Sequence, residues 1–493
     1  MIHSSPANAS LLIEDIALLS DRYTVFAPDT PGFGQSDPLP LTEMTIADLA
    51  DALAKTLASM DMPPCPMFGT HTGAGIVLEF ARSYPDRVTG IILDGLALFR
   101  ELEYAELFAD YFRPIPITDL GGQYAMAWTR MRDQAIWFPW CSRSPVALND
   151  YDLPPAMRTN HWVSMYFDAS SHYVPAYRAA LRYGEDGVAA AAALTTPAVI
   201  SARETDMLFA HLDRLLAPRE GQEIHRLGRS MNETRALTEA AFARFVSRGA
   251  APSDRDEIVS ASSVMREFVT TSTGRVLHLR HVGERTAPPI LLLHDAPGSS
   301  AQLHDQMAEC ASDFFVVAPD LPGSGESPAF TALAAVADYT EELIALLDYL
   351  DLPRTDVLGL GFGAAVALDL AHRHPSRVKR LALRPHPLPP LHERAGLRAN
   401  YAPLITIESD GSHWYRTWLM LRDSLVWWPW YDRRVSNLTR KAGDFSAIAL
   451  HDWTRDVLRN HASYGDLITA ALAYDEVEAH AALPSPPLTT LCT

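Results

Sequence analysis

The feature that most constrains this chain is that it is written twice. "VFAPDTPGFGQSDP" at 25–38 returns as "VVAPDLPGSGESP" at 316–328, and "ARSYPDRVTGIIL" at 81–93 returns as "AHRHPSRVKRLAL" at 371–383. "WTRMRDQAIWFPW" at 128–140 returns as "WLMLRDSLVWWPW" at 418–430. That last pair shares Trp128/Trp418, Arg132/Arg422, Asp133/Asp423, Trp137/Trp427 and Pro139-Trp140/Pro429-Trp430. Matches in one order at one offset, near 290 residues, read as a tandem duplication. With 493 residues, each copy is long enough to bury its own core.

Within each copy, short β-rich runs such as "YTVFAPD", "GIILDG" and "PAVISA" alternate with longer amphipathic stretches. Alternation of this kind predicts an α/β fold, a mostly parallel sheet with helices on both faces. Between "IILDG" and "TPAVISA" lies an aromatic-rich, helix-prone insertion over about 96–193, with a counterpart over about 386–482. Either is far longer than an ordinary connection. "SRGAAPSDRDEIVSASS" is polar and unpatterned and reads as a linker. The expected division is therefore 1–246, a linker at 247–266, and 267–493.

Both ends are expected to cut into this pattern. "MIHSSPA" aligns with "LLHDAPG", so the first copy lacks the strands before that point and its sheet should carry a gap. "PPLTTLCT" aligns with "TTPAVISA", so the second copy lacks its last acid loop, strand and helix. The expectation is a fragment of a longer tandem protein, or strands exchanged between units or chains.

The formal net charge of −19 argues against nucleic acid and anionic membranes as partners, since both require clustered Lys and Arg. The four cysteines form no CxxC pair and no Cys/His metal spacing, so no metal site is expected, and no cofactor either. "MIHSSPANAS" has neither a basic nor an apolar leader region, and no run is apolar for the length of a membrane span. The expectation is a cytoplasmic protein whose partner is a small molecule, with its two units packing on each other.

With these pieces placed, both copies resemble the α/β-hydrolase superfamily. The insertion resembles the helical cap of its epoxide hydrolase, haloalkane dehalogenase and C–C hydrolase branch. "LLLHDAPGSS" at 291–300 is similar to the superfamily's oxyanion-loop segment, and "APDxPGxGxS" to the segment after its fourth strand. The resemblance implies a strand–turn–helix elbow of pattern G-x-S-x-G carrying the nucleophile. Here that elbow reads Gly69-Thr70-His71-Thr72-Gly73 in the first copy and Gly359-Leu360-Gly361-Phe362-Gly363 in the second. A histidine and a glycine stand where the serine belongs.

In the first copy the resemblance makes Asp206, or Asp94, the acid that orients the imidazole. Where the family places its base histidine stand Arg229 or Ser230, while His225 falls a few residues early. His71 cannot form an ordinary acyl-enzyme, but it can act as a general base or atypical nucleophile. N–H donors for an oxyanion would come from the elbow at Thr72 and from the loop at Ser4. In the second copy Gly361 can do no chemistry. "GLGFGA", with Arg384 beyond it, also matches a dinucleotide fingerprint, but such a motif belongs to the first strand of its domain.

The Trp/Arg motif has two readings. Kept in both copies despite different elbows, it suits packing inside the cap. If it faces the cleft, Trp128, Trp137 and Trp140 suit an apolar or aromatic ligand and Arg132 a carboxylate or phenolate. His161 and His172 are candidate proton donors. The expected function is a hydrolase-like enzyme for a small apolar or aromatic substrate, with a degenerate second copy. The alternatives are a non-catalytic binding protein and a tandem scaffold that mimics a homodimer.

Overall fold

Strand-length apolar runs with few polar interruptions are stable only when covered on both faces, which is the condition of a parallel sheet between helices. The computed structural model describes residues 1–169, 172–246, 264–440, 443, 445–483 and 485–488, leaving aside the side chains of 106–109. The chain divides into two compact units: Met1–Pro116 with Ala125–Asp256, and Ile117–Tyr124 with Glu257–Thr493.

In the first unit, β1 (Cys65–Thr70), β2 (Val88–Asp94), β3 (Ala198–Arg203) and β4 (Gln222–Leu227) form a parallel sheet in that order. The gap expected beside β1 is corrected in part, because residues 1–3 run there. The Ile2 N–H donates to the Phe68 carbonyl at 2.8 Å, and the Thr70 N–H to the Ile2 carbonyl at 3.2 Å. The terminal amine of Met1 donates to the Phe26 carbonyl at 2.6 Å. Ile2 therefore satisfies two groups of the β1 backbone nearest the elbow.

The second unit contains β5 (Met265–Thr270), β6 (Val276–Val282), β7 (Pro289–Leu293), β8 (Phe315–Pro319), β9 (Thr355–Leu360) and β10 (Val378–Arg384). Their order is β10-β9-β7-β8-β6-β5, antiparallel only where β6 meets its two neighbours. Alternation along the strands divides the core: Leu291, Leu293, Val317 and Val357 face one layer, and Ile290, Leu292, Val316 and Leu358 the other. Beyond β10, Leu488 pairs in parallel with Ala382, as β3 pairs with β2 in the first unit. Most of the expected linker, 247–263, lies outside the described residues, and its end is corrected because β5 begins at Met265.

Helices cover the sheets by burying one stripe each. In "IADLADALAKTLAS", residues Ile46, Leu49, Ala50, Leu53, Ala54 and Leu57 are buried, the spacing of a single helical face. Thr45 opens this helix with a capping box, its side chain accepting from the Asp48 N–H while Asp48 accepts from the Thr45 N–H. Between β2 and β3 the chain leaves the sheet for five helices, Glu101–Asp110, Gly122–Ile136, Ala156–Ala169, Tyr173–Arg182 and Gly184–Ala193. Among the described residues, no helix is long and apolar enough to cross a membrane.

Candidate active site

The site is built where β1 turns into the helix Thr72–Ser83. His71 holds the turn at φ 51° and ψ −110°, a conformation costly for a residue with a side chain. Its N–H donates to the Asp94 carbonyl at the end of β2, at 2.9 Å, which fixes the turn against the neighbouring strand. The Asp206 carboxylate, just past β3, accepts from His71 Nε2 at 2.8 Å, and its other oxygen accepts the Leu208 N–H at 2.8 Å. Three strand ends thus converge on one imidazole. Gly95 makes the convergence possible: at φ +65° it takes a left-handed turn, and a Cβ there would collide with the His71 ring.

The electrostatics follow from the burial. Asp206 is 5% exposed and the His71 side chain 34%. Burial alone would raise the Asp206 pKa, but the His71 charge and hydrogen bond outweigh it and hold the carboxyl down to about 2. For His71, burial acts downward and is overcome by the charge and hydrogen bond of Asp206 and by the charge of Asp94, so its pKa is raised above 6.5. Asp94 is a different carboxyl. Burial first, then the charge of Asp206, push it up to about 6, and its described hydrogen bond is a long one from Ser201 at 3.4 Å. One carboxylate is ionised and paired, and the other is poised to hold a proton.

His71 lines a cavity of about 30 Å³, roughly the space of one water molecule. Its walls include Ser5, Thr72, Phe99, Phe138, Tyr177 and Met207. Ser5 rather than Ser4 lines this space, and the Ser4 carbonyl accepts from the Ala7 N–H and contacts the His3 ring. Thr72 stands where expected, at the first position of the elbow helix.

The expected ligand contacts are corrected. Trp128 is buried in the helix Gly122–Ile136 and does not line the cavity. Trp140 is buried as well, its Nε1–H donating to the Tyr111 carbonyl at 3.0 Å, and Trp430 does the same to Tyr401 at 2.8 Å. Trp137 pairs with Leu148 and Trp427 with Leu438, while Asp133 holds Arg143 and Asp423 holds Arg433. In both units the motif's described contacts run within the helical insertion. Arg132 is exposed, because on a helix two residues separate opposite faces, and Arg130 takes the inward one. His161 contacts the Ser10 hydroxyl at 3.1 Å, His172 is exposed ahead of the next helix, and neither reaches the cavity.

Among the described residues, no histidine of β4 or of the loop after it lines the cavity. His225 lies within β4 and contacts Glu223, Arg229 pairs with Asp150, and Ser230 caps the final helix. A histidine that motif reading passed over, His211, lies buried behind the Phe99 wall, where its Nδ1 accepts the Leu98 N–H at 2.9 Å. Burial and then Arg214 lower it to about 4, so it stays neutral.

The second unit repeats the elbow geometry with different chemistry. Gly361 has φ +51°, and the space a side chain would occupy is filled by the Asp295 carboxylate. Asp295 Oδ1 accepts the N–H groups of Phe362 at 2.8 Å and Ala296 at 2.7 Å, and Oδ2 lies 2.8 Å from His386 Nε2. The elbow donors that a substrate oxyanion or a phosphate would need are taken by the unit's own side chain. Asp295 aligns with Ser4, so positions 4 and 71 of the first unit differ together from 295 and 361 of the second.

A family model for the alpha/beta hydrolase fold matches residues 1–215 and 288–396. The chain is 35% identical over 132 residues to a 2-hydroxymuconate semialdehyde hydrolase of Pseudomonas sp. strain CF600, covering 25% of this chain and 44% of that protein. It is 37% identical over 98 residues to an uncharacterised Mycobacterium tuberculosis protein, covering 20% of this chain and 29% of the other. The matches thus span less than half the length of these curated relatives. Among solved structures it is similar to epoxide hydrolase A of Mycobacterium thermoresistibile, with 20% identity, a TM-score of 0.36, and coverage of 44% of this chain and 78% of that one.

Proposed function

This chain belongs to the alpha/beta hydrolase fold family, and on that footing we propose that its first unit is a hydrolase in which His71 is the general base. The observation that carries this reading is the 2.8 Å bond from His71 Nε2 to Asp206, made by a residue on the elbow that also faces the cavity. Because the carboxylate accepts from Nε2, the neutral ring keeps its lone pair on Nδ1. A water in the cavity gives its proton to Nδ1 as its oxygen bonds to the substrate's electrophilic carbon; the carbon–oxygen bond of the ester, lactone or epoxide then breaks, and the imidazolium hands that proton to the departing oxygen. The Asp206 charge stabilises the imidazolium that forms. In this reading the Thr72 N–H, first in its helix, donates to the developing oxyanion. No covalent enzyme intermediate is needed, so the missing serine is not a missing step.

The walls Phe99, Phe138 and Met207 favour a small apolar or aromatic substrate. The cavity has room for the attacking water and not for that substrate, so entry requires the helices over 101–193, acting as a cap, to shift. The second unit is a degenerate copy, a reading supported by the carboxylate seated on its elbow. A binding protein without turnover is the second reading, favoured by the absence of any histidine from the β4 loop. His71→Ala separates them. Loss of hydrolysis of aryl esters, lactones or epoxides with ligand binding intact supports the base, and ligand binding with no hydrolysis by the wild type supports binding alone.

A further inference from the structure

Arg130 is 2% exposed, inside the helical insertion of the first unit. Its guanidinium carbon lies 4.8 Å from the ring centre of Tyr166, 5.1 Å from Trp140, 5.8 Å from Tyr173 and 5.9 Å from Tyr111. Nη2 donates to the Tyr173 hydroxyl at 3.4 Å. Nε and Nη1 are buried with no hydrogen-bond partner among the described residues. Burial pushes the hydroxyls of Tyr111, Tyr166 and Tyr177 up, so these phenols stay neutral and supply no counter-charge. The four rings offset part of the cation's lost hydration, but ring faces do not satisfy the three N–H groups on Nε and Nη1.

The duplication supplies an internal control. Arg130 stands two residues after Trp128, and two residues after Trp418 stands Met420. Met420 is buried in an apolar cluster with Val457 and Tyr464, with Trp430 against it. A methionine therefore fills this place in the copy whose elbow has no histidine, and packing by itself does not call for a cation. The cage is also joined to the site. Tyr111 and Tyr177 share a hydroxyl–hydroxyl bond of 2.8 Å, and Tyr177 lines the His71 cavity.

We propose that Arg130 is the anion-recognition residue of the first unit's site, its Nη1 donating to the carboxylate of an aromatic acid. The ligand's ring lies among the cage aromatics, and entry parts the Tyr111–Tyr177 bond, since the cavity holds only a water-sized body as it stands. This names the substrate class of the reaction assigned to His71 and rests on that reading only for turnover, because binding is testable without it.

The test uses the full chain with benzoate, phenylacetate and 3-phenylpropionate, each paired with its amide, read by thermal shift and tryptophan fluorescence. At least one acid is expected to bind saturably to the wild type and to His71→Ala. Arg130→Met should bind it at least tenfold more weakly while melting no lower than the wild type, and Arg130→Lys should fall between them. The amides should not distinguish the variants. The proposal is overturned if no acid binds the wild type, if Arg130→Met binds as well, or if its melting temperature drops by several degrees, which would make the cation structural. Retained acid binding with an unchanged rate in His71→Ala would remove the base assignment and leave Arg130 standing.

Discussion

Asp206→Asn removes a charge and keeps the shape of the side chain, so it isolates what the carboxylate does for His71. The Asp206 pKa falls from 3.8 to about 2, and the largest influences in that direction are the charge and hydrogen bond of His71. Hydrogen bonds to charged groups are worth roughly 1.5–3 kcal/mol, and a bond to a carboxylate as buried as Asp206 falls in the upper part of that range, about 2–3 kcal/mol. The pairing is reciprocal, so His71 loses the same support when the charge goes. Burial, the largest single influence on the ring, then has only the charge of Asp94 against it, and the imidazole should titrate below 6.5 instead of above it. NMR titration of the His71 ring from pH 4 to 9 reads this without a substrate. If imidazolium forms in the transition state, losing about 2–3 kcal/mol lowers the rate by roughly 10²-fold. The rising limb of the rate should also move to lower pH in the variant. A wild-type midpoint at or below 6.5, or the same midpoint in both proteins, refutes the reasoning.

Asp94 offers the opposite sign. Its folded pKa, about 6, lies above 3.8, so it costs stability as pH rises through that interval. Asp94→Asn should raise stability at pH 8 by up to about 3 kcal/mol and change little at pH 3, as urea melts would show. Gly95→Ala forces a side chain into the His71 ring at φ +65°, and should cost about 1–3 kcal/mol in melting experiments and abolish turnover together. Asp295→Ala leaves the Phe362 and Ala296 N–H groups without their acceptor and should destabilise the second unit by about 1–3 kcal/mol. The Asp295 carboxyl is held below 3.8, so its stabilisation is present above that pH and lost as pH falls. The variant's deficit should therefore shrink in acid.

The repeats made the two-unit plan, the strand–helix alternation and the elbow legible, because glycine turns and apolar runs are local signals. For the acid beside His71 the family resemblance offered Asp206 or Asp94, and it is the Asp206 carboxylate that meets the ring, where the ends of neighbouring parallel strands come to one edge. Arg130 was not legible. The motif drew attention to Arg132, and only the helix's rotation tells which of two arginines faces inward. Ser5, Phe138 and Tyr177 were missed because the wall of a cavity is set by tertiary packing of loops and helices far apart in the chain. Asp295 carried no local signal: its carboxylate reaches the second elbow because position 361 has no side chain to keep it out.

The central claim is that an imidazole on the nucleophile's turn works as a base, and the steady-state rate of His71→Ala tests it most directly. Across aryl esters, lactones and epoxides, the wild type should turn over at least one class. On that substrate the variant should lose about 10²-fold or more in kcat while keeping its melting temperature. A wild type inert to every class, or a variant that matches its rate, contradicts the account.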